Sequence, residues 1–291
     1  MNRQKFKQTI PYLILGMFTL FFCWFFCGRY GVFGSKVDWI SQHSVLPDYF
    51  RQQFYNTGQL FPEFAANIGG GQNIYNFAYY GLYSPVVLIS YFLPFVKMSD
   101  YMMAAGVISL LAAILLFYKW LLRRGITSRL SFLTALLFLL SGPMIYHSYN
   151  QIMFVNYMPF LCLAFLGVDR YFEKQKPGLY TISVFLMILT SFYFSIGGMF
   201  ALVLYGIYRY AEGKEKLGEN IKILGFVSDG FRFLLPMLMA VLMSVVLLVP
   251  TAMALAGGRE GGHKRALSAL LIPEIPIEIS PVLRNLITVI F

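Results

Sequence analysis

Asp38 is the residue with the clearest potential for acid–base chemistry, because it lies in a polar segment between two long apolar runs. Residues 37–43 read VDWISQH. A carboxylate in such a segment can act as a general base on a substrate hydroxyl, and we predict that Gln42 and His43 help to bind the substrate. Asp38 also has a structural alternative, since an aspartate here can cap the helix or turn that follows it.

A second group of candidates lies near the end of the sequence, where cations gather in one polar loop. They are Arg259, His263, Lys264 and Arg265. Arginine binds phosphate oxygens through paired hydrogen bonds, and fixed cations stabilise the charge that develops on a leaving phosphate. We predict that Arg259, His263 and Arg265 bind such a group. A solvated loop, or attraction to anionic lipid headgroups, is the alternative.

Aromatic and other polar residues add further candidates. Tyr79 and Tyr80 are predicted to stack on a sugar or to line a lipid groove, with an interfacial aromatic belt as the alternative. Glu63 is a candidate for a second acidic residue in the same loop. His147 could flank the site, although a lone histidine is often only a surface residue.

The elements that position these residues must be membrane-spanning helices. The sequence is 58% hydrophobic and only 12% charged, whereas globular domains have about 45–50% apolar and about 25% charged residues. Apolar runs of about 18 or more residues recur, which is the length a helix needs to cross roughly 30 Å of hydrocarbon. Residues 10–27 and 234–256 are apolar on every face, unlike barrel strands. We therefore predict an all-α, multi-pass transmembrane bundle.

One transmembrane domain is predicted over residues 1–291, and the positions of its cations indicate which connections are cytoplasmic. The spans are placed at about 10–28, 101–122, 130–145, 152–168, 179–194, 196–209 and 233–256, with a partial span from 282 that suggests an incomplete C-terminus. The positive-inside rule then makes the N-terminus cytoplasmic and the loop 29–100 extracellular. Residues 195–198 are expected to break the long apolar run between 179 and 208.

The outer loop is predicted to carry juxtamembrane helices. The segment from Pro47 to Gly58 has residues suited to a helix start and a helix end. Phe50 and Phe54 share one face and Arg51 turns away from it, so we expect an interfacial helix with its aromatic side chains in lipid. The apolar run 84–96 is short, and spanning there would place later arginines outside, so we predict a juxtamembrane or re-entrant helix.

The net charge of +10 reflects membrane topology rather than nucleic-acid binding, because the cations cluster in short connections. The three cysteines lie in apolar runs without paired ligand spacing, so neither a disulfide framework nor a zinc site is predicted. The bilayer is an expected partner and nucleic acid is not. The sequence identifies no cofactor, and a requirement for a divalent cation is an open alternative.

Several motifs, taken in order, resemble the YfhO family of bacterial membrane proteins. They are Asp-x-x-x-Gln-His at 38–43, Tyr-Phe-Arg at 49–51, the glycine-rich stretch 67–71, FAYYGLYSP at 77–85, NQIMFVNYMP at 150–159, and FYF at 192–194 before Gly197-Gly198. The resemblance runs through most of the chain. It corresponds to the N-terminal part of family members, which are usually longer.

The resemblance implies a place in the GT-C superfamily of membrane glycosyltransferases. Members transfer sugars from polyprenyl-phosphate carriers on the outer face of the membrane, with a catalytic acidic residue in the first outer loop. By that resemblance Asp38 is the candidate base, and the acceptor is a cell-envelope polymer such as teichoic acid. Asn156 stands where relatives often have an acidic residue, which puts a second carboxylate or metal ligand there in doubt.

Two other classes of protein compete with a transferase. A transporter or flippase for a lipid-linked or small polar substrate usually has ionisable residues or broken helices near mid-membrane. The predicted spans contain almost no charge, and only the break expected at Gly197-Gly198 favours this class. A non-catalytic scaffold for envelope assembly is the third alternative.

Overall fold

The computed structural model describes residues 3–30, 34–35 and 38–256. Within these ranges the only strands are β1 (Phe64–Ala65) and β2 (Gln72–Asn73), which pair antiparallel. Three short helical turns cover Trp39–His43, Ile74–Tyr80 and Ser90–Phe92. The described residues up to Ala254 form one compact unit, and every contact discussed below lies within it.

Eleven α-helices make up the rest of the described fold. They are α1 (Arg3–Tyr30), α2 (Val45–Thr57), α3 (Pro85–Ile89), α4 (Met98–Arg123), α5 (Ser128–Leu139), α6 (Gly142–Asn150), α7 (Ile152–Lys174), α8 (Gly178–Thr190), α9 (Phe192–Lys216), α10 (Ile223–Met243) and α11 (Val245–Ala256).

Five of these helices are long and apolar enough to cross a membrane: α1, α4, α7, α9 and α10. A sixth span is possible if α5 and α6, which meet at a bend of 46°, are counted as one. The helices α8 and α11 are apolar but shorter. The predicted all-α, multi-pass membrane bundle is therefore confirmed.

Helix α7 lies at the centre of the bundle, packed against α4, α8 and α9. Gly167 allows a close approach to α8, because a Cβ atom there would come within 2.6 Å of the backbone nitrogen of Tyr180. Small residues at such contacts are the usual means of bringing two membrane helices together, since they leave room for dispersion contacts along the backbones.

The prediction of a break at Gly197-Gly198 was wrong, because both glycines lie inside the continuous helix α9. The break comes earlier, at Ser191, whose backbone is extended and whose hydroxyl accepts a hydrogen bond from the Phe194 N–H as an N-cap. Gly198 instead faces α8 and α7, where a Cβ atom would lie 3.0 Å from the sulfur of Met187. Its role in the described fold is close packing.

Two other predicted spans also divide differently. The predicted span 233–256 corresponds to α10, which begins ten residues earlier at Ile223, and to α11, with the interruption at Ser244. The Ser244 hydroxyl donates to the Ala240 carbonyl at 2.8 Å, a back-bond that tends to bend helices. The predicted span 130–145 is the bent pair α5 and α6, because Ser141 is extended before Gly142. The partial span from 282 lies outside the described residues.

The aromatic face of α2 packs inside the protein instead of turning towards lipid as expected, with the Phe54 ring stacked on the Tyr91 ring. Phe50 is fully buried, and Arg51, which we expected to turn outward, is only 3% exposed. Arg51 donates to the carbonyls of Leu93 and Val96, at 3.3 and 3.0 Å, and pairs with Asp48 at 2.8 Å. A sequence pattern places Arg51 off the aromatic face, but it cannot show that the carbonyls of Leu93 and Val96 lie within hydrogen-bonding distance of that side chain.

Candidate functional site

Asp38 lies at the start of the turn Trp39–His43, which is anchored on both sides. The Trp39 ring packs so closely on α4 that a Cβ atom at Gly106 would lie 3.0 Å from it. The Asp38 N–H donates to the Ser35 hydroxyl at 3.1 Å, and the Ser35 N–H donates to the Tyr149 carbonyl at 2.6 Å. The Asp38 side chain makes no capping hydrogen bond to the turn, so the described geometry does not support the capping alternative.

Gln42 and His43 fasten the same turn to its neighbours. The Gln42 side-chain carbonyl accepts a short hydrogen bond from the Tyr80 hydroxyl. His43 is only 2% exposed, and its Nδ1 accepts from the Ile152 N–H at 3.4 Å. Burial lowers the pKa of His43 to about 4, although the nearby Asp38 carboxylate acts to raise it. His43 is therefore neutral at pH 7.

Tyr79 connects this turn to the rest of the site. Its hydroxyl donates to the Gln151 side-chain carbonyl at 2.8 Å, and its ring meets the Tyr193 ring edge-on at 6.1 Å. Burial raises the pKa of Tyr79, and the neighbouring Tyr80 and Tyr193 phenols and the Asp38 carboxylate raise it further. Asp38 is thus close enough for its charge to act on this phenol, which stays protonated and remains a hydrogen-bond donor.

An open cleft of about 800 Å³ lies beside Tyr79. It is lined by Tyr79, Tyr146, His147, Gln151, Tyr193, Phe194, Ile196 and Gly197. Aromatic rings with a few polar groups are the usual lining of a small-molecule site, because the rings bind by area and the polar groups select orientation. Apart from His147, no titratable group other than phenols is among the described residues of the lining.

The described structure brings together only part of the predicted site. Tyr80 is hydrogen-bonded to Gln42, in the turn that follows Asp38, and the neighbouring Tyr79 is within range of the Asp38 charge. His147 and Tyr79 line the adjoining cleft. Glu63 is exposed beside the β1–β2 hairpin, where its carbonyl accepts from the Ile74 N–H at 3.1 Å. The predicted phosphate-binding residues Arg259, His263 and Arg265 lie outside the described residues, as does Lys264.

Gln151, Tyr193 and Phe194 were not predicted as site residues. Two one-residue interruptions bring them together, at Gln151 between α6 and α7 and at Ser191 between α8 and α9. A polar residue between two apolar helices is a visible signal in each case. The sequence could not show that both interruptions meet Tyr79 at the same place.

Asn156 is a buried polar residue of α7. Asn156 is 1% exposed, and neither side-chain amide atom has a hydrogen-bond partner among the described residues. It lies one helical turn after Ile152 on the same face of α7. Within the described ranges there is no cluster of three or more His, Cys, Asp or Glu side chains that could hold a metal ion.

Comparisons with known proteins give one result. Residues 8–270 match the family described as bacterial membrane protein YfhO. No curated protein and no solved structure matches the chain. The family match covers most of the sequence and includes Asp38, the turn that carries it and all the lining residues of the cleft. The chain therefore belongs to the YfhO family of bacterial membrane proteins.

Proposed function

We propose that this chain is a membrane glycosyltransferase that transfers a sugar from a polyprenyl-phosphate donor to a cell-envelope acceptor, such as teichoic acid, on the outer face of the membrane. The observation that carries the proposal is the aromatic cleft beside Tyr79, whose phenol lies within range of the Asp38 charge. Family membership supports a role in the membrane, and the chemistry of the cleft supports a sugar as the ligand.

The cleft has the groups that a sugar needs. The faces of Tyr193 and Phe194 can stack on the apolar C–H face of a pyranose, while the Tyr79 and Gln151 side chains can exchange hydrogen bonds with its hydroxyls. A ligand with a permanent charge would find no opposite charge among the described lining residues. The uncharged sugar is therefore the part of the donor or acceptor that we assign to this cleft.

In the proposed reaction, Asp38 is the general base. It takes the proton from an acceptor hydroxyl, and the acceptor oxygen forms a bond to the anomeric carbon as the bond from that carbon to the donor phosphate breaks. Polyprenyl phosphate leaves with the electron pair, and the configuration at the anomeric carbon is inverted. Gln42, Tyr80 and His43 hold the turn that carries Asp38, so they are positioning residues.

The charge on the leaving phosphate requires cations. We propose Arg259, His263 and Arg265 for this role, because arginine binds phosphate oxygens in a bidentate manner. A divalent cation is the alternative source of positive charge. Neither is needed to bind the sugar itself, so the proposal for the cleft can be tested independently of them.

The arrangement of charges supports an extracellular cleft. The cleft lies at the start of α7 and α9. The opposite ends of the helices carry the cations, including Arg123 at the end of α4, Lys174 at the end of α7 and Lys216 at the end of α9. By the positive-inside rule these cations are cytoplasmic, which leaves the cleft on the outer side.

The test is an Asp38→Asn substitution in cells that depend on this protein, with envelope-polymer glycosylation measured beside the amount of protein in the membrane. We expect glycosylation to fall by about 10²–10⁴-fold, the usual loss when a general base is removed, at unchanged abundance. Asp100→Asn is the matched control, because Asp100 is an exposed aspartate at the start of α4. Unchanged glycosylation in Asp38→Asn would reject the proposed base.

A flippase for a lipid-linked sugar is the second candidate. The interruptions at Gln151 and Ser191 beside an open cleft favour it, because broken helices are typical of transporters. Against it, the buried charges Asp169 and Arg209 lie near the C-terminal ends of α7 and α9 rather than at mid-membrane. A flippase would move a fluorescent lipid-linked sugar across reconstituted vesicles without an acceptor and would keep that activity in Asp38→Asn.

A further inference from the structure

A second feature of the molecule lies away from the cleft, towards the C-terminal end of α9. Two recesses adjoin there between α9 and α10, sharing Phe172, Tyr210 and Asp229 in their linings. The first, of about 350 Å³, is apolar and is lined by side chains such as Val203, Ile207, Phe226 and Leu234. The second, of about 390 Å³, is lined by Arg209, Lys214 and Arg232 among others.

Phe233 holds α10 beside the first recess through contacts with α8 and α9. Its ring stacks on the Tyr180 ring of α8 with the centroids 5.3 Å apart. The ring also lies so close to α9 that a Cβ atom at Gly206 would come within 2.4 Å of it. The turns of α10 before this contact remain largely uncovered in the described structure, with Ile223 and Leu224 strongly exposed.

The charges of the second recess favour an anion. Its lining has three cations and one acidic residue, Asp229. Arg209 is already held by Asp169 and Glu212. Arg232 is 71% exposed at its side chain and lies 3.7 Å from Asp229, while Lys214 pairs with the exposed Glu219. Because Arg232 and Lys214 each pair with only one carboxylate, whereas Arg209 pairs with two, Arg232 and Lys214 are the cations that can turn towards a ligand.

We propose that these two recesses form one binding site for an anionic phospholipid of the leaflet on this side of the membrane. An acyl chain occupies the apolar recess, and the phosphate lies between Arg232 and Lys214. The adjacency of an apolar recess and a cationic one matches the two parts of such a lipid, because a soluble anion would use only the second. The site is separate from Asp38 and does not depend on the proposed transferase.

The test measures lipid retained by the purified full chain in native mass spectrometry, with phosphatidylglycerol or phosphatidylcholine added in detergent. We expect phosphatidylglycerol to be retained over phosphatidylcholine. Arg232→Gln and Lys214→Gln should each weaken its binding by about fivefold, the usual contribution of one cation near an anionic headgroup. Arg170→Gln is the matched control, since Arg170 is an exposed cation of α7 outside both recesses.

A substitution in the apolar recess tests the acyl chain. Gly230 lines this recess, and a Cβ atom there would meet nothing within 4 Å, so Gly230→Leu should reduce retention without disturbing the fold. Gly178→Leu is the control, because Gly178 also has open space but lies outside the recesses. Three results would overturn the proposal. They are equal retention of the two lipids, wild-type retention in Arg232→Gln, Lys214→Gln or Gly230→Leu, or displacement of phosphatidylglycerol by soluble glycerol phosphate as effective as that by phosphatidylglycerol itself.

Discussion

At the scale of single residues, Asp38 and His43 stand in one short turn but have different environments. Asp38 is partly exposed and close to Tyr79, whereas His43 is buried and accepts a hydrogen bond from the first backbone N–H of α7. Only a neutral imidazole can accept at Nδ1, so protonation of His43 would break this contact. The same contact holds the turn in place and makes its stability depend on pH.

We predict that acidification destabilises the protein partly through His43. Its pKa is lowered to about 4 by burial, so the folded state disfavours the proton that an unfolded histidine binds below about pH 6.5. The resulting stability is present above about pH 6.5 and is lost as the pH falls towards 4. Melting in detergent between pH 7.5 and pH 4.5 should show a larger fall in Tm for the wild type than for His43→Asn, whose side-chain oxygen can still accept from Ile152. Equal falls would contradict the prediction.

At the scale of elements, α7 organises the site. Its first residue, Ile152, donates a backbone hydrogen bond to His43 in the turn Trp39–His43. Gln151, immediately before the helix, accepts a hydrogen bond from Tyr79. The helix also packs on α4, α8 and α9. A shift of α7 relative to α8 would therefore alter the spacing between the turn and the cleft. The packing at Gly167 is sensitive to an added side chain, because the Tyr180 backbone cannot move aside as a side chain could.

We predict that Gly167→Ala destabilises the bundle although alanine is the better helix former. The added methyl group would overlap the Tyr180 backbone, and overpacking of this kind costs about 1–3 kcal/mol. Gly28→Ala in α1 is the matched control, because a Cβ atom there meets nothing within 4 Å. Thermal unfolding in detergent should give a lower Tm for Gly167→Ala alone. A Tm equal to that of Gly28→Ala would show that α7 and α8 can separate without loss.

At the scale of the whole molecule, polar chemistry collects at two ends of an apolar bundle. One end has Asp38 and the cleft. The other has an ion network in which Arg124 pairs with Glu212 at 2.6 Å and Arg209 with the buried Asp169 at 3.0 Å, joining the ends of α4, α7 and α9. A chain arranged in this way fits a bilayer, because the uncharged middle of each span lies in hydrocarbon.

We predict that the cleft end is extracellular and the ion-network end cytoplasmic. Ser41, in the turn after Asp38, and Ser128, at the start of α5, are both exposed and can each be replaced by cysteine in a variant without Cys23, Cys27 and Cys162. A membrane-impermeant thiol reagent should label Ser41→Cys in intact cells and Ser128→Cys only after permeabilisation. The reverse pattern would overturn the topology and the site proposed on it.

The class of this protein follows from its amino-acid sequence alone. Apolar runs long enough to cross a bilayer predict helical spans wherever they occur, because lipid leaves every backbone N–H and C=O to be satisfied within the segment. The order of its motifs also identified the family. It singled out Asp38, Gln42, Tyr79 and Tyr80, which the structure brings together, although their roles stay predictions.

The positions of the helix breaks and the contacts between polar residues depend on the tertiary fold. The break at Ser191 rather than at Gly197-Gly198, and the burial of Arg51 against carbonyls more than forty residues away, depend on neighbours distant in sequence. The cleft exists because the interruption at Gln151, between α6 and α7, and the one at Ser191, between α8 and α9, both lie near Tyr79. Periodicity reports the face of a residue within its own helix, but contacts between helices are set by the packing of the whole bundle.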